Sequence, residues 1–435
     1  MNITQKLVVA TSSVVLSFTA MGAKPVQAIT LIVTNTSDDI SDTGSLRYAI
    51  DKANKTDGTD TIDFSLPADQ QTIKLTGESL DITSDLNING LGANLLTIDG
   101  NLASSVLSIG SSSTVGIFGL TIANGNNGIL NQGNLTVTNS IISGNRGTDF
   151  FANSGIFSDS GNLTVTNSTF LDNGAGIFGF NSNIALTDST FYGNDEGIFS
   201  TAGSNLTVTN STFSGNGSGI NPNFSDVTVT NSTISGNEGT GIRSFRSVIR
   251  VTNSTIFGNQ GVGIRSQGGY NGYIQIKNSI VAKNSRDIYP DIFGSYSVAD
   301  LGNNLIGTGA AIDAGFPWII YDTFTNGVNG NIVGTLANPI DPLLGPLANN
   351  GGPTQTHALL PGSPAIDAAN PNSFPSTDQR GVPRPQGAGP DIGAYELFQT
   401  PKSVPESSNL GGLFLGIGLG WLMKRKLGVA QKVWV

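Results

Sequence analysis

The sequence contains no cysteine and only one histidine, His357. It therefore offers no disulfide framework, no thiolate metal site and no cysteine nucleophile. Charge is also sparse: Asp, Glu, Lys and Arg make up 12% of the 435 residues, and the formal net charge is −10. Because phosphate binding depends on clustered Lys and Arg, we expect no nucleic-acid partner.

Hydrophobic residues are few for a chain of this length. They make up 37% of the sequence, while 57 residues are glycine. This composition is too polar for one large central core and too poor in charge for ordinary disorder. It favours a repetitive chain with a thin, continuous core.

One polar phrase recurs through the middle of the chain. LTVTNSTFSGN begins at Leu206, and near copies begin at Leu163, Val227 and Ile249. Aligned on their first Asn, the copies repeat with a period of about 22 residues, and a second Asn closes each phrase. The first column is Asn139, Asn167, Asp188, Asn210, Asn231, Asn253 and Asn278; the second is Asn145, Asn173, Asn194, Asn216, Asn237, Asn259 and Asn284.

Apolar and polar residues alternate within each phrase. Leu206 and Val208 alternate with Thr207 and Thr209, which is the pattern of a strand with one buried face. The residues are poor helix formers, and no apolar stripe with helical spacing is present. Such short strands bury their apolar side chains by stacking coil upon coil, about 4.8 Å apart. The pattern predicts an all-β parallel β-helix of about ten coils.

The two asparagine columns have a physical role in such a stack. An amide side chain has both donors and an acceptor, so equivalent Asn residues bond to one another from coil to coil. Asn also tolerates the left-handed backbone angles of tight turns. We therefore predict structural asparagine ladders that keep the coils in register, with Asp188 standing in for one Asn.

The two ends of the chain look like targeting segments. Residues 1–28 predict a signal peptide, with Lys6 before an apolar stretch and a small-residue cleavage site at Ala28. Residues 398–409 predict an exposed linker, and residues 410–435 hold an apolar run followed by a basic cluster. We expect an exported protein at the cell surface or outside the cell, anchored transiently or stably in the membrane by the tail.

The tail resembles the bacterial PEP-CTERM sorting signal. The sorting motif is Pro405, Glu406 and Ser407, followed by the apolar run and Lys424-Arg425-Lys426. This resemblance implies processing by an exosortase-like enzyme in the membrane.

The regions that flank the coils also carry a family resemblance. Residues 29–74 form a predicted N-terminal cap, with Leu46, Ala49, Ile50 and Ala53 on one face of a short helix. This stretch, GSLRYAI, is similar to the CSLREAI-type opening of bacterial β-helix proteins. The segment from DPLLGP to PDIGAYE resembles the C-terminal signature of choice-of-anchor Q proteins.

That resemblance implies a right-handed β-helix displayed at a bacterial surface, and it carries over no catalytic residue. We assign residues 75–307 to the β-helix. Residues 308–397 form a predicted C-terminal cap that includes the signature.

Carboxylates near the second Asn column raise the possibility of catalysis. Asp172, Asp195, Glu196 and Glu238 come from successive or alternate coils, and β-helix polysaccharide enzymes use such groups as acid and base or as Ca²⁺ ligands. The simpler interpretation is that acids at exposed turns keep the rod soluble. We assign no metal and no cofactor, and Ca²⁺ remains an option without a motif. We interpret His357 as structural, since no nucleophile motif adjoins it.

Arg243 and Arg265 occupy equivalent positions in adjacent coils and are the candidate ligand-binding residues. A stacked pair of guanidinium groups suits the carboxylates or sulfates of a polysaccharide. The sequence thus predicts a surface β-helix of structural, adhesive or polysaccharide-binding type. The alternative is a polysaccharide lyase or glycoside hydrolase acting through Asp172, Asp195, Glu196 and Arg243.

Overall fold

The computed structural model describes residues 27–69, 71–102, 105–148, 153–267, 272–289, 298–309 and 324–398. The predicted signal peptide lies almost entirely outside these ranges, and the sorting motif Pro405-Glu406-Ser407 lies outside them with the whole tail. Those two interpretations remain predictions.

The described residues form a right-handed parallel β-helix of about 10 turns of about 22 residues, as the sequence predicts. Three parallel sheets run along its length. The first sheet contains Thr30–Val33, Asp60–Phe64, Leu86–Asn89, Thr114–Phe118, Asn134–Thr138, Asn162–Thr166, Asn183–Thr187, Asn205–Thr209, Asp226–Thr230, Val248–Thr252, Tyr273–Lys277 and Val298–Asp300.

The second sheet contains shorter strands. Along the chain, each strand of the third sheet follows a strand of the second sheet and precedes a strand of the first sheet. The second sheet is Thr72–Lys74, Thr97–Asp99, Thr121–Ala123, Ile141–Ser143, Thr169–Leu171, Thr190–Tyr192, Thr212–Ser214, Thr233–Ser235, Thr255–Phe257, Ile280–Ala282, Leu305–Ile306 and Ile332–Val333. The third is Leu80–Ile82, Leu107–Ile109, Asn127–Asn131, Ser154–Asp159, Ala175–Phe180, Glu196–Thr201, Ser218–Pro222, Ile242–Phe245, Val262–Gln267 and Arg286–Tyr289.

The core is a set of columns in which each coil contributes equivalent apolar side chains. Leu206 pairs with Ile184 on one side and Val227 on the other, and all three are buried. In the second sheet, the rings of Phe170, Phe191 and Phe213 stack with centroids 4.5 Å apart. Such like-on-like stacking follows from the register, because each coil repeats the inward pattern of the one before.

The first asparagine column lies at the corner between the first and second sheets. All seven of its residues adopt a positive φ, between 46° for Asn167 and 53° for Asp188. Asn167 donates to Asn139 Oδ1 at 2.7 Å, and Asn278 donates to Asn253 Oδ1 at 3.1 Å. The ladder is interrupted between these pairs, so the main task of this column is to supply left-handed turn residues.

The second asparagine column is buried and forms an unbroken ladder. The side-chain amide of each residue from Asn145 to Asn259 donates to Oδ1 of the next, at 2.8–3.0 Å. The same Oδ1 atoms also accept backbone N–H groups, as when Asn194 N donates to Asn216 Oδ1 at 3.1 Å. This column therefore satisfies polar groups that the turn would otherwise bury without partners.

A short helix lies at the N-terminal end of the stack. It spans Leu46–Ala53, and Ser45 caps it by accepting a hydrogen bond from Tyr48 N. Its buried residues are Leu46, Ala49, Ile50 and Ala53, the four that the sequence places on one face. Since the first sheet already begins with Thr30–Val33, the strands on either side of this helix belong to the stack.

Residues 343–397, which we call the clasp, follow the last coil. A 3-10 turn at Val328–Gly330 precedes the clasp, which contains a two-stranded antiparallel pair, Leu344–Ala348 and Thr356–Leu359. Where the sequence led us to expect a cover over the end of the stack, the described contacts of the clasp lie along its side. The Thr212 hydroxyl donates to Gln355 O at 2.6 Å, and Asn278 Nδ2 donates to Ser373 O at 2.9 Å.

The later part of the C-terminal signature, residues 378–396, forms a buried ionic network inside the clasp. Arg384 and Glu396 pair at 2.9 Å with both side chains fully buried, and Arg380 pairs with Asp378 at 2.6 Å. The Arg380 guanidinium also lies over the Tyr395 ring, 3.5 Å from its centroid. These residues are committed to holding the clasp together, which explains why the signature contains charges without forming a site.

Candidate functional site

The acid residues at the second-Asn corner do not converge on one point. Asp195 is exposed, and Arg146 donates to both of its carboxylate oxygens at 2.9 Å. Arg146 also donates from Nε to the backbone oxygen of Asp172. Asp172 itself has a left-handed backbone conformation in the turn. Glu238 is exposed on a later coil. The structure therefore joins Asp172 and Asp195 to a surface arginine and gives neither an acid–base partner.

Glu196 begins a strand of the third sheet and faces a different environment. Burial raises the pKa of its carboxyl group, against the opposing effects of Asn221 and Arg243. Asn221 Nδ2 donates to Oε1 at 3.4 Å, while Oε2 of Glu196 and Oδ1 of Asn221 are buried and accept no hydrogen bond from the described residues. Both oxygens lie beneath the surface, so they add buried polarity to this part of the sheet without forming a direct ligand contact.

Arg243 and Arg265 are paired residues on neighbouring strands of the third sheet. Ile242 pairs with Ile264 before them, and Ser244 pairs with Ser266 after them. Their inward neighbours are buried, so both guanidinium groups lie on the outer face. Arg265 lies 5.6 Å from the Tyr289 ring centroid, and Arg243 is exposed. Among the described residues, neither arginine has a carboxylate within salt-bridge distance.

The outward column that contains Arg243 and Arg265 changes from aromatic to cationic side chains along the β-helix. Paired positions on successive strands are Leu130, Phe157, Phe178, Phe199 and Asn221, and the column continues with Arg243, Arg265 and Tyr289. Phe157 and Phe178 have ring centroids 4.9 Å apart, and Phe178 and Phe199 have theirs 5.0 Å apart. We call Glu196, Asn221, Arg243, Arg265 and Tyr289 the third-sheet site, since cations, acceptors and a ring meet there.

His357 contacts a serine but lies in no cleft. Its Nδ1 is 2.8 Å from Gly345 O and its Nε2 is 2.7 Å from Ser235 Oγ, so the ring donates to the carbonyl and accepts from the hydroxyl. Burial lowers the pKa of His357, which keeps the ring neutral. The histidine is 5% exposed and Ser235 is 4% exposed. This serine–histidine pair therefore fastens the clasp to the second sheet.

Other features of the described surface offer little chemistry. A cleft of 590 Å³ lies beside the first asparagine column, lined by backbone and side chains such as Asn89, Asn139 and Asn167, and none of its lining residues is titratable. In the described ranges, no three His, Asp or Glu side chains are close enough to hold a metal ion. No helix of this part of the chain is long and apolar enough to span a membrane.

Sequence reasoning found the arginine pair but missed their neighbours. Asn221 and Tyr289 follow buried Ile220 and Ile288, as Arg243 follows Ile242, so the position after each inward isoleucine was the available signal. Arg146 was missed because it reaches Asp195 over two coils. A second ladder was also overlooked, in which Ser140, Ser168, Ser189, Ser211, Ser232, Ser254 and Ser279 follow the first Asn column and each backbone N–H down to Ser254 donates to the next hydroxyl.

Comparison with known proteins supports the fold. The family described as "Right handed beta helix region" matches residues 87–225. No curated protein matches the sequence. Solved structures similar to it include the Dettilon tailspike protein, with 12% identity, coverage of 63% of this chain and 69% of that one, and a TM-score of 0.41.

Two further solved structures share the same range. The A-module of the Azotobacter vinelandii mannuronan C-5 epimerase AlgE6 has 16% identity, covers 62% of this chain and 91% of its own, and has a TM-score of 0.35. The ORF18 protein of Geobacillus virus E2 has 13% identity, covers 62% of each chain and has a TM-score of 0.36. Similarity this weak carries no argument about ligand or reaction. The repeat register and the matched family region together make this chain a right-handed β-helix protein.

Proposed function

We propose that this protein binds acidic polysaccharide through the third-sheet site, as an exported structural or adhesive component of a bacterial surface. The observation that carries the proposal is the register of Arg243 with Arg265. Two like charges on adjacent parallel strands, about 4.8 Å apart, repel each other unless an anion lies between or over them. A row of uronate or sulfate groups supplies that anion, and guanidinium groups bind such groups by two parallel hydrogen bonds.

The neighbours of the arginine pair favour a sugar over a simple anion. Glu196 Oε2 and Asn221 Oδ1 are buried, so the arginines and Tyr289 are the groups of this site that contact the ligand directly. Tyr289 adds a ring at the other end of the pair. Because the protein has a net charge of −10, a polyanion is attracted to a local cationic site of this kind and repelled by most of the remaining surface.

The first experiment is binding of the purified protein to immobilised polygalacturonate, with neutral dextran as the comparison surface. Double substitution Arg243→Gln and Arg265→Gln is expected to weaken binding to polygalacturonate about tenfold or more. Arg250→Gln is the matched control, because Arg250 is an arginine of the first sheet that lies 3.8 Å from Asp226. Binding that is unchanged by the double substitution, or equal on dextran, contradicts the proposal.

The same samples test the enzymatic alternative. Release of new reducing ends or unsaturated uronates, lost in Glu196→Gln, would indicate a lyase or hydrolase at this site. We expect no turnover, because Arg146 donates to both carboxylate oxygens of Asp195, the carboxylate next to Glu196 in the chain. The export and anchoring parts of the proposal are tested separately, by fractionating cells that express the full chain and its Pro405→Ala/Glu406→Ala variant.

A further inference from the structure

The outer face of the first sheet is a regular array of threonines. Over five adjacent strands, from Asn134–Thr138 to Asp226–Thr230, each strand places three side chains outward, and all five strands are in register. We call this surface the threonine face. Its threonines are Thr136, Thr164, Thr207 and Thr228 in the middle column and Thr138, Thr166, Thr187, Thr209 and Thr230 in the next.

The hydroxyl groups of this face have no hydrogen-bond partner among the residues that the structure describes. None of the nine threonine Oγ1 atoms forms a hydrogen bond with a described residue, while their backbone groups complete the sheet. The contrast with the second sheet is direct, since the hydroxyls of Thr212 and Thr233 both bind the clasp. A repeated hydroxyl left unpaired on a rigid surface is available to an external lattice of donors and acceptors.

The geometry of the array is two-dimensional and fixed. Threonines repeat at about 4.8 Å from strand to strand and at about 6.6 Å along a strand, which is two residues of rise. Sheets of many strands normally twist, and side-chain ladders are among the devices that keep them flat. One such ladder forms the first outward column of the face: Asn162, Asn183 and Asn205 each donate to the asparagine one coil earlier at 2.8–3.2 Å.

The chemistry of the face separates it from the third-sheet site. Its fifteen outward positions hold threonine and asparagine, except for Ala185 and the edge residue Asp226, and they include no aromatic ring or cation. Without a ring, the face lacks the stacking platform that sugar rings use. Without cations, it has no group that selects an anion. Each threonine instead presents a methyl group and a hydroxyl at a fixed spacing.

We propose that the threonine face binds ice. Ice presents oxygen atoms that repeat in two dimensions on the same scale as these hydroxyls, and each oxygen both donates and accepts, as the threonine hydroxyl does. The contacts are individually weak, but the face is already ordered, so little conformational entropy is lost when many form together. This inference is independent of polysaccharide binding, because it uses a different sheet and different residues.

The test is partition of fluorescently labelled protein into slowly growing ice, together with inhibition of ice recrystallisation. The wild-type protein is expected to enter the ice and to slow recrystallisation. Thr207→Lys places one strongly hydrated charge in the middle column of the face and is expected to lower both effects about tenfold or more. Thr190→Lys is the matched control, a threonine of the second sheet outside this face, and is expected to behave as wild type.

Circular dichroism establishes that each variant is folded, and a parallel assay measures retention on microcrystalline cellulose. Exclusion of the folded wild-type protein from ice overturns the proposal. Equal losses in the face variant and in Thr190→Lys also overturn it, since the effect would then follow from charge alone. Retention on cellulose without partition into ice would assign the face to a crystalline glycan and would likewise contradict ice binding.

Discussion

Asn284 donates its side-chain amide to Oδ1 of Asp287 at 3.0 Å, and this bond ends the buried asparagine ladder. Every amide in the ladder points its donor toward the later coil, so the last one needs an acceptor beyond it. Asp287 meets that need on both oxygens: its Oδ1 also accepts from Asn284 N, and its Oδ2 accepts from Thr308 N at 2.6 Å. Four donors from Asn284 and Thr308 therefore face the two oxygens, which favours a carboxylate at the end of the ladder.

Asp287→Asn tests this directionality. The substituted amide has one oxygen and one NH₂ group, so its NH₂ must face either the Asn284 donors or the Thr308 N–H. We expect a loss of about 1–3 kcal/mol in the free energy of unfolding, the cost of a buried unsatisfied group. Urea denaturation followed by circular dichroism measures this loss. Asp300→Asn is not a suitable control, because the Asp300 carboxylate also accepts hydrogen bonds from three side-chain amides. Asp172→Asn, at an exposed turn, is the control.

Asn216→Leu should break the ladder in its middle. The Asn216 side-chain Nδ2 donates to Asn237 Oδ1 and to Phe191 O. The Asn216 Oδ1 accepts from both the backbone N and the side-chain Nδ2 of Asn194. Leucine leaves these buried groups unpaired, and we expect a loss of about 3 kcal/mol or more. Asn205→Leu is the comparison. Asn205 is exposed and belongs to the separate asparagine ladder of the first sheet, so this substitution should lower the free energy of unfolding by less than about 1 kcal/mol. Similar denaturation midpoints for the two variants would show that the buried ladder does not hold the coils.

Gln379→Leu should release the clasp without unfolding the stack. The buried Gln379 amide donates to Thr212 Oγ1 and Thr354 Oγ1 at 2.8 Å, and its oxygen accepts from Thr233 Oγ1 at 2.7 Å. Leucine forms none of these bonds and removes the acceptor of the buried Thr233 hydroxyl, while the Thr212 hydroxyl keeps its bond to Gln355 O. Limited proteolysis should cut residues 343–397 at least several-fold faster than in wild type, with the β-sheet signal unchanged. Gln386→Leu, whose amide is exposed, serves as the comparison, and equal cleavage rates would contradict the assignment.

The clasp should lose stability as the pH rises toward 7. Burial raises the pKa of Asp391 from 3.8 to about 7, against the two backbone N–H groups that donate to its carboxylate. Between those values the folded protein binds more protons than the unfolded chain, so stability falls with increasing pH, by up to about 1.4 kcal/mol per unit from this group. Urea midpoints at pH 5 and pH 8 measure the effect. Asp391→Asn should flatten the dependence, and an unchanged slope in that variant would exclude Asp391 as its source.

The sequence alone determined the stack. Successive residues of a strand, such as Leu206 and Thr207, point to opposite faces of the sheet. The period of about 22 residues then places each of them beside its equivalent one coil away. Inward and outward columns, the left-handed corner at Asn210 and the stacked pair Arg243 and Arg265 all follow from that repeat. The four buried residues of the N-terminal helix follow from its helical period in the same way.

Tertiary structure decided the contacts that the period does not encode. The bonds of the clasp, such as Gln379 to Thr212 and His357 to Ser235, join residues 167 and 122 positions apart, so no repeat places them together. The two asparagine columns look alike in sequence, but one turns inward and forms a continuous ladder while the other serves mainly as a corner. Which way an amide points depends on the carbonyls and N–H groups that the coils bring around it, and only the folded stack provides them.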